Sequence, residues 1–254
     1  MSRILVTNDD GVYSEGVRLL AKALKEVAEV VVVAPDREQS ASGHALTLHR
    51  PLRMQQLEEG VYAVDGTPTD CVSLGVLWLC KDRPPDLVVS GVNFGLNLGD
   101  DVTYSGTVSA TFEGTLLGVP SVAFSQEVAE DFSFERAVRF ARRLVALLLT
   151  ETLPADLLLN VNLPAGQIQG VARTRLGRRR YQQAVVEKTD PRGRTYFWIA
   201  GTPEWQEEEG TDFAAVSAGK VSITPLHLDL TDYRGLEVYG DLLGKLERLS
   251  EDAG

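Results

Sequence analysis

Two cysteines, Cys71 and Cys80, are all the thiol that this 254-residue chain carries. They form no CxxC pair and have no histidine cluster beside them. Nothing therefore points to zinc, and a disulfide framework would need more of them. They read as buried thiols in a reducing cytosol. Basic charge is also short: 25 Lys and Arg against 36 Asp and Glu leave a net charge of −11. That balance argues against a nucleic-acid polymer as partner, because phosphate backbones are held through clustered Lys and Arg. A single phosphate is still within reach, since a bound metal and backbone N–H groups supply local positive character. Long apolar runs are missing too. The longest is about six residues, far below the roughly 18 that span a bilayer, and strand-like sequence starting at Arg3 leaves no room for a signal peptide. The expectation is a cytoplasmic protein with no membrane partner.

The chain is long enough to bury a sizeable core. Arg3 to Thr7 (RILVT) reads as a buried strand, and Val17, Leu20, Ala21, Leu24, Val27 and Ala28 recur at helical spacing, predicting a helix over 14–28. Val30 to Ala34 is a second buried strand, ended by Pro35. Two almost uniformly apolar strands around one amphipathic helix predict a parallel sheet. Further strands are expected near 45–49, 52–56, 61–64, 86–90, 119–124 and 157–161, with helices over 67–79, 105–117 and 134–149. The fold class is α/β: a Rossmann-like, mostly parallel sheet with helices on both faces. Residues 1–165 are expected to form this catalytic core. Residues 166–254 then form a β-hairpin or β-extension over 170–200, an acidic loop over 204–209, a strand over 221–225 and a helix over 233–249, packed on the core or on a neighbouring subunit.

In open parallel sheets ligands sit at the C-terminal ends of the strands, and three polar loops fall at such ends. Asn8, Asp9, Asp10 and Gly11 follow the first strand. Adjacent carboxylates there repel each other, and a hard divalent cation such as Mg²⁺ or Mn²⁺ is a fitting counter-charge; a solvated Asp-Asp-Gly turn is the plainer alternative. The second loop, Asp36 to Gly43, offers small residues and hydroxyls, with Ser40 a neutral oxygen donor and Ser42 a competing one. His44 beside it is more simply structural than catalytic. The third loop, Gly91 to Asp101, spaces Gly91, Gly95 and Gly99 four apart and sets Asn93 and Asn97 between them. It runs into Ser105-Gly106-Thr107 at a helix start, where free N–H groups and hydroxyls face an anion. Neither GxxxxGK[ST] nor GxGxxG is present, and Ser105 lacks the GxSxG context of a hydrolase nucleophile.

Together the stretches ILVTNDDGV, VVVAPDREQSASGHALTL, VDGTPTDCVSLG, PDLVVSGVNFGLNLGDDVTYSGTVSAT and GVPSVAFS resemble the SurE family, the survival-protein nucleotidases, across most of residues 3–125. LNVNLP and ITPLHLDLTD extend the likeness more weakly. The resemblance implies one divalent cation per subunit, Mg²⁺ or Mn²⁺, held by Asp9, Asp10, Ser40 and Asn93. It implies hydrolysis of nucleoside 5′-monophosphates, and also of 3′-monophosphates and short polyphosphate in some members. It further implies a homodimer or homotetramer with exchanged C-terminal segments. Asn8, Gly43, Asn97, Ser105, Gly106 and Thr107 are then candidates for the phosphate and substrate contacts, and Asp9 and Asp10 for the catalytic pair.

Water, rather than an aspartate, is the expected nucleophile. A covalent dehalogenase-type phosphatase carries DxD, and Asn8 stands where its first Asp would be. A receiver-like module is excluded by Ser90–Gly91 and Ser125 at strand ends that would need an Asp and a Lys. A non-catalytic nucleotide- and metal-binding module remains the alternative. Arg178–Arg180 reads as a contact to substrate phosphate, to an acidic patch on a partner, or as a solvated run. Tyr196, Phe197 and Trp198 suit a subunit interface better than a base.

Overall fold

A computed structural model of the protein describes residues 1–182, 185–199, 202–206 and 208–240. β1 (Arg3–Thr7), α1 (Glu15–Leu24) and β2 (Glu29–Pro35) open the chain, with β1 and β2 adjacent and parallel. β3 (Met54–Glu58) and β4 (Val61–Val64) form a short antiparallel pair that joins β2. α2 (Pro68–Leu74) starts with Pro68 behind a capping box. In it, Thr67 Oγ1 accepts from the Asp70 amide at 3.1 Å and Asp70 Oδ2 accepts from the Thr67 amide at 2.9 Å. A π turn, Gly75–Leu79, completes the helical stretch expected there.

The core continues with β5 (Leu87–Phe94), α3 (Gly106–Leu116), β6 (Ser121–Gln126), α4 (Glu135–Leu148) and β7 (Leu158–Leu163). After it come β8 (Gly170–Arg173), β9 (Arg179–Gln182), β10 (Val185–Thr189), β11 (Thr195–Ile199) and β12 (Thr202–Trp205). α5 (Asp212–Ser217), β13 (Lys220–Pro225) and α6 (Tyr233–Val238) follow. The main sheet runs β3-β4-β2-β1-β5-β6-β7-β13-β8. From β4 to β7 every neighbour is parallel, while β13 is antiparallel to β7 and carries β8 as a parallel edge. This is the expected α/β architecture.

The uniform apolar strands are explained by two buried faces. Ile4 and Val6 of β1 pack with Val17, Leu20 and Leu24 of α1 and Ala137, Ala141 and Val145 of α4. Leu5, between them in sequence, points the other way and packs with Val72 of α2, Ala110 of α3 and Val33 of β2. Period-two alternation thus feeds two cores at once.

Several expectations are corrected, among them the acidic loop over 204–209, whose first two residues, Glu204 and Trp205, close β12. Residues 45–49 form no strand; Leu46 and Leu48 are exposed, and Thr47 is held instead by the Asp70 carboxylate, through its amide at 2.9 Å and its hydroxyl at 2.6 Å. The next strand starts at Met54, two residues later than expected. α5 was not anticipated: six residues are too few for a periodic signal, although Thr211 caps it by accepting from the Ala214 amide at 3.3 Å. The helix expected over 233–249 is described as α6 as far as Val238, and residues 241–249 lie outside the described part.

Candidate active site at the strand-order switch

β1 has β2 on one side and β5 on the other, so the strand order reverses between β1 and β5. At such a switch the loops leaving the two strands part in opposite directions and open a crevice. Asp9 and Asp10 leave β1 here, and Asn93 sits at the end of β5. A cleft of about 960 Å³ opens at this point, and its lining includes Asp9, Asp10, Ser40, Asn93, Asn97 and Ser105. Six of the candidate residues thus meet in one cavity.

The other four stand behind its wall. Asn8, fully buried, donates to Gly11 O at 3.1 Å and to Ser14 Oγ at 2.8 Å, closing the turn that presents the two aspartates. The Gly43 amide donates to Tyr104 O at 3.1 Å, which ties the second loop to the third. The Gln39 amide donates to Asp9 O at 2.7 Å and ties the second loop to the first. Thr107 donates its hydroxyl to Asp9 Oδ1. Gly106 lies so close to Asp9 that a Cβ on it would sit 2.8 Å from Asp9 Cβ and 2.8 Å from Ser42 Oγ. Only glycine fits there.

The third loop is clamped from beneath. Asn97 accepts at its carbonyl from Asn160 Nδ2 at 2.8 Å and Asn162 Nδ2 at 3.0 Å, and its amide donates to Asn162 Oδ1 at 2.8 Å. Its side chain donates to Ser125 Oγ at 2.8 Å. The Asp212 carboxylate, wholly buried, accepts from the Gly99 amide at 2.8 Å and from the Gly177 amide at 2.8 Å. Sequence reasoning missed these holding residues. Two asparagines alternating on β7 were a usable signal, since both side chains of an otherwise apolar buried strand need partners. Asp212 offered none.

The electrostatics of the cleft are one-sided. Burial pushes Asp9 above the usual carboxylate range, against the Thr107 hydrogen bond that favours its ionised form. Burial, with the charge of Asp9 next to it, pushes Asp10 up to about 6. Glu15, Glu38 and Asp101 add further carboxylates to the lining, and the guanidinium of Arg179 is the single cationic side chain of that lining among the described residues. Asp10 Oδ2, Asn8 Oδ1 and Ser42 Oγ are buried without a hydrogen-bond partner. Two crowded carboxylates lacking a counter-charge, beside an unsatisfied oxygen, are the donor set of a hard cation. Among the described residues no three His, Cys, Asp or Glu side chains converge closely enough to hold one metal ion, so a cation here would complete its shell with neutral oxygens. Asn93 is suited to that: its Nδ2 donates to Gly95 O at 3.0 Å, leaving Oδ1 as the acceptor. Ser40 lines the cleft, with its hydroxyl donated to Glu38 Oε1 at 2.6 Å.

His44 is turned away from this set. Its Nε2 lies 3.0 Å from Glu113 Oε2, in a pocket where Ser73 donates to the other Glu113 oxygen at 2.5 Å. That hydrogen bond from His44, followed by the one from Ser73, holds Glu113 below the usual glutamate range despite its burial.

Comparison with known proteins places the chain in a family. Residues 4–183 match the family described as survival protein SurE. The chain is 55% identical over 239 residues to the 5′-nucleotidase SurE of Geobacter metallireducens, covering 92% of this chain and 94% of that one. It is 50% identical over 250 residues to the 5′-nucleotidase SurE of Nitrosococcus oceani, covering 97% and 99%. The crystal structure of the SurE protein from Aquifex aeolicus superposes with a TM-score of 0.85 at 46% identity, over 94% of this chain and 99% of that one. On a match of this length and identity, the chain belongs to the SurE family.

Proposed function

We propose that the protein is a divalent-metal-dependent phosphatase that hydrolyses nucleoside 5′-monophosphates to nucleoside and phosphate. The observation that carries this reading is the charge of the cleft. Asp9, buried, and Asp10, half-buried, stand side by side at the strand-order switch with their protonation displaced upward, so an anionic substrate enters only alongside a cation. Relatives at 50–55% identity bearing the name 5′-nucleotidase support the same activity.

Asp9, Asp10, Asn93 and Ser40 are the residues that would hold the cation, Mg²⁺ or Mn²⁺, at one site per subunit. When bound, it supplies Lewis-acid polarisation of a phosphoryl oxygen and neutralises charge. The chain's own residues do the rest. At the start of α3 the Ser105 amide donates to Asp101 O and the Thr107 amide supports the Asp9 carboxylate. The Gly106 amide and the Ser105 hydroxyl, which accepts from the Val108 amide, are the donors left for negative charge developing on phosphorus. Asn97, gripped by β7, keeps one amide hydrogen for the same oxygens. Phe94, Leu96, Tyr104 and Phe134 give the cleft an apolar wall for the nucleoside. Asn8 and Gly43 act on the loops rather than on the phosphate. Water attacks phosphorus, because Asn8 replaces the first carboxylate of a DxD pair and Asp9 is committed to Thr107.

The β10–β11 hairpin pairs only with itself among the described residues, and Phe197 and Ile199 on it are 62% and 91% exposed. An isolated two-stranded ribbon is marginal alone. This supports a homodimer or homotetramer in which C-terminal segments cover one another. No helix among the described residues is long and apolar enough to cross a membrane, and the buried thiols Cys71 and Cys80 are free, which fits action in the cytosol.

The test is a panel of mononucleotides assayed for phosphate release with Mg²⁺, Mn²⁺ and EDTA, on the wild type and on Asp10→Asn. Metal-dependent release that disappears in a folded Asp10→Asn is expected. Binding of mononucleotides without release would support a binding module instead. Single turnover in ¹⁸O water is expected to label phosphate and leave the carboxylates of the enzyme unlabelled.

A further inference from the structure

We infer that His44 is a positioning residue for the cation site: gripped by Glu113 on α3, it holds the second loop in the turn that presents Ser40 to the cleft. This rests on the cation site of the reading above and adds to it a residue that acts from outside the cleft.

The second loop is tied at both ends and turns sharply between them. It enters where the Asp36 amide donates to Val64 O at 2.8 Å, and the Gln39 amide then donates to Asp9 O at 2.7 Å. The Ser42 amide closes a turn on Gln39 O at 3.2 Å, which leaves Ser40 and Ala41 at the tip, both lining the cleft. Ala41 has φ +56°, in the left-handed region that a residue with a Cβ seldom takes. A residue stays there only when its surroundings hold it. Beyond the turn, the holding contacts are the Gly43 amide on Tyr104 O, the His44 imidazole on Glu113, and Thr47 on Asp70. Ser42 Oγ has no hydrogen-bond partner, so His44 makes the first side-chain tie after Ser40.

That tie is built rather than incidental. The Glu113 side chain is only 9% exposed, and the chemistry of the cleft leaves it unused. Ser73 of α2 donates to its Oε1, and His44 Nε2 lies 3.0 Å from its Oε2, so each oxygen has a partner. The imidazole also stands edge-on to the ring of Phe112, with centroids 5.9 Å apart. Glu113 lies on the helix whose first turn carries Thr107, about 9 Å further along the axis. One rigid element thus orients Asp9 through Thr107 and Ser40 through His44. Two ligands from two loops keep their spacing because a single helix fixes both.

Calorimetric titration of the full chain with Mn²⁺ tests this on the wild type, His44→Leu, His44→Gln, Ser40→Ala and the double variant Ser40→Ala with His44→Leu. Leucine keeps bulk and removes the donor, whereas glutamine offers a neutral N–H in its place. His44→Leu is expected to weaken Mn²⁺ binding about tenfold or more, as for other groups that orient a metal ligand. His44→Gln is expected to recover most of that loss. In the Ser40→Ala background, His44→Leu is expected to change the affinity by less than about twofold, because residues acting through one contact are not additive. A lower melting temperature with unchanged Mn²⁺ affinity, or a fully additive loss in the double variant, makes the tie purely structural and overturns the inference. If His44→Leu does not fold, Glu113→Gln decides: weaker Mn²⁺ binding is expected, and an unchanged affinity overturns the inference. The titration needs no substrate. The expected Mn²⁺ pattern in a protein that releases no phosphate from AMP therefore defeats the nucleotidase reading alone, and a wild type that binds no Mn²⁺ defeats both.

Discussion

The hydroxyl of Thr107, in the first turn of α3, donates to Oδ1 of Asp9 at the tip of β1. The two residues are 98 positions apart, and both are buried. The contact orients one carboxylate oxygen and favours its ionised form against the burial that raises its pKa. Thr107→Val keeps the shape and removes the donor. Manganese affinity, measured by calorimetry, is expected to weaken by about 10- to 100-fold, the usual effect of losing a hydrogen bond to a metal ligand.

Gly106 supplies a second test of the same approach. Alanine is normally the better helix residue by up to about 1 kcal/mol. Here its Cβ would lie 2.8 Å from Asp9 Cβ and 2.8 Å from Ser42 Oγ. The clash costs about 1–3 kcal/mol and outweighs propensity, so Gly106→Ala is expected to melt at lower temperature. A displacement of about 1 Å at Asp9 is also enough to reduce kcat about 100-fold. Thermal melts and steady-state assays read the two effects separately.

Asp10 makes the metal-free protein sensitive to pH with a definite sign. Its carboxyl is pushed up to about 6 in the folded chain, above the ordinary value of about 4 when unfolded. Between those values the folded state holds more protons than the unfolded one, so stability falls as pH rises through the window. In EDTA, Asp10→Asn is expected to match the wild type only below about pH 4 and to melt above it at pH 7.5. Saturating Mn²⁺ at pH 7.5 is expected to stabilise the wild type, by about 2.7 kcal/mol at 100 times Kd, and to leave Asp10→Asn nearly unmoved.

Asp212 is wholly buried and accepts from three amides, those of Gly99, Gly177 and Phe213, each at 2.8 Å. Asparagine keeps one acceptor oxygen and turns an NH₂ toward an amide that needs an acceptor. Asp212→Asn is expected to cost about 3 kcal/mol in urea unfolding, as for one or two hydrogen bonds to a charged group. Activity should fall as well, because the loop carrying Asn97 and Asp101 loses its anchor.

Much of this site is legible in the sequence. Asp9, Asp10 and Asn93 follow strands whose apolar runs were plain, and the strand-end rule placed them together. What the sequence could not convey was which polar groups face the cleft and which brace it. Asn8 and Gly43 looked like phosphate contacts, but their N–H donors are spent on Gly11, Ser14 and Tyr104. The missed bracing by Asn160, Asn162 and Asp212 is long-range, and no local spacing encodes it. The strand expected over 45–49 failed for a related reason: Asp70, at 23 residues' distance, satisfies Thr47 in place of a sheet neighbour.

The central claim is that Asp9 and Asp10 are held together because a divalent cation and a phosphoryl group share the space in front of them. Anomalous diffraction at the manganese edge, on crystals soaked with Mn²⁺ and phosphate, tests it most directly. A single peak per subunit, ligated by both carboxylates and by Asn93 with phosphate beside it, is the predicted result. A peak elsewhere, or both carboxylates turned to bulk solvent in millimolar Mn²⁺, would contradict the account.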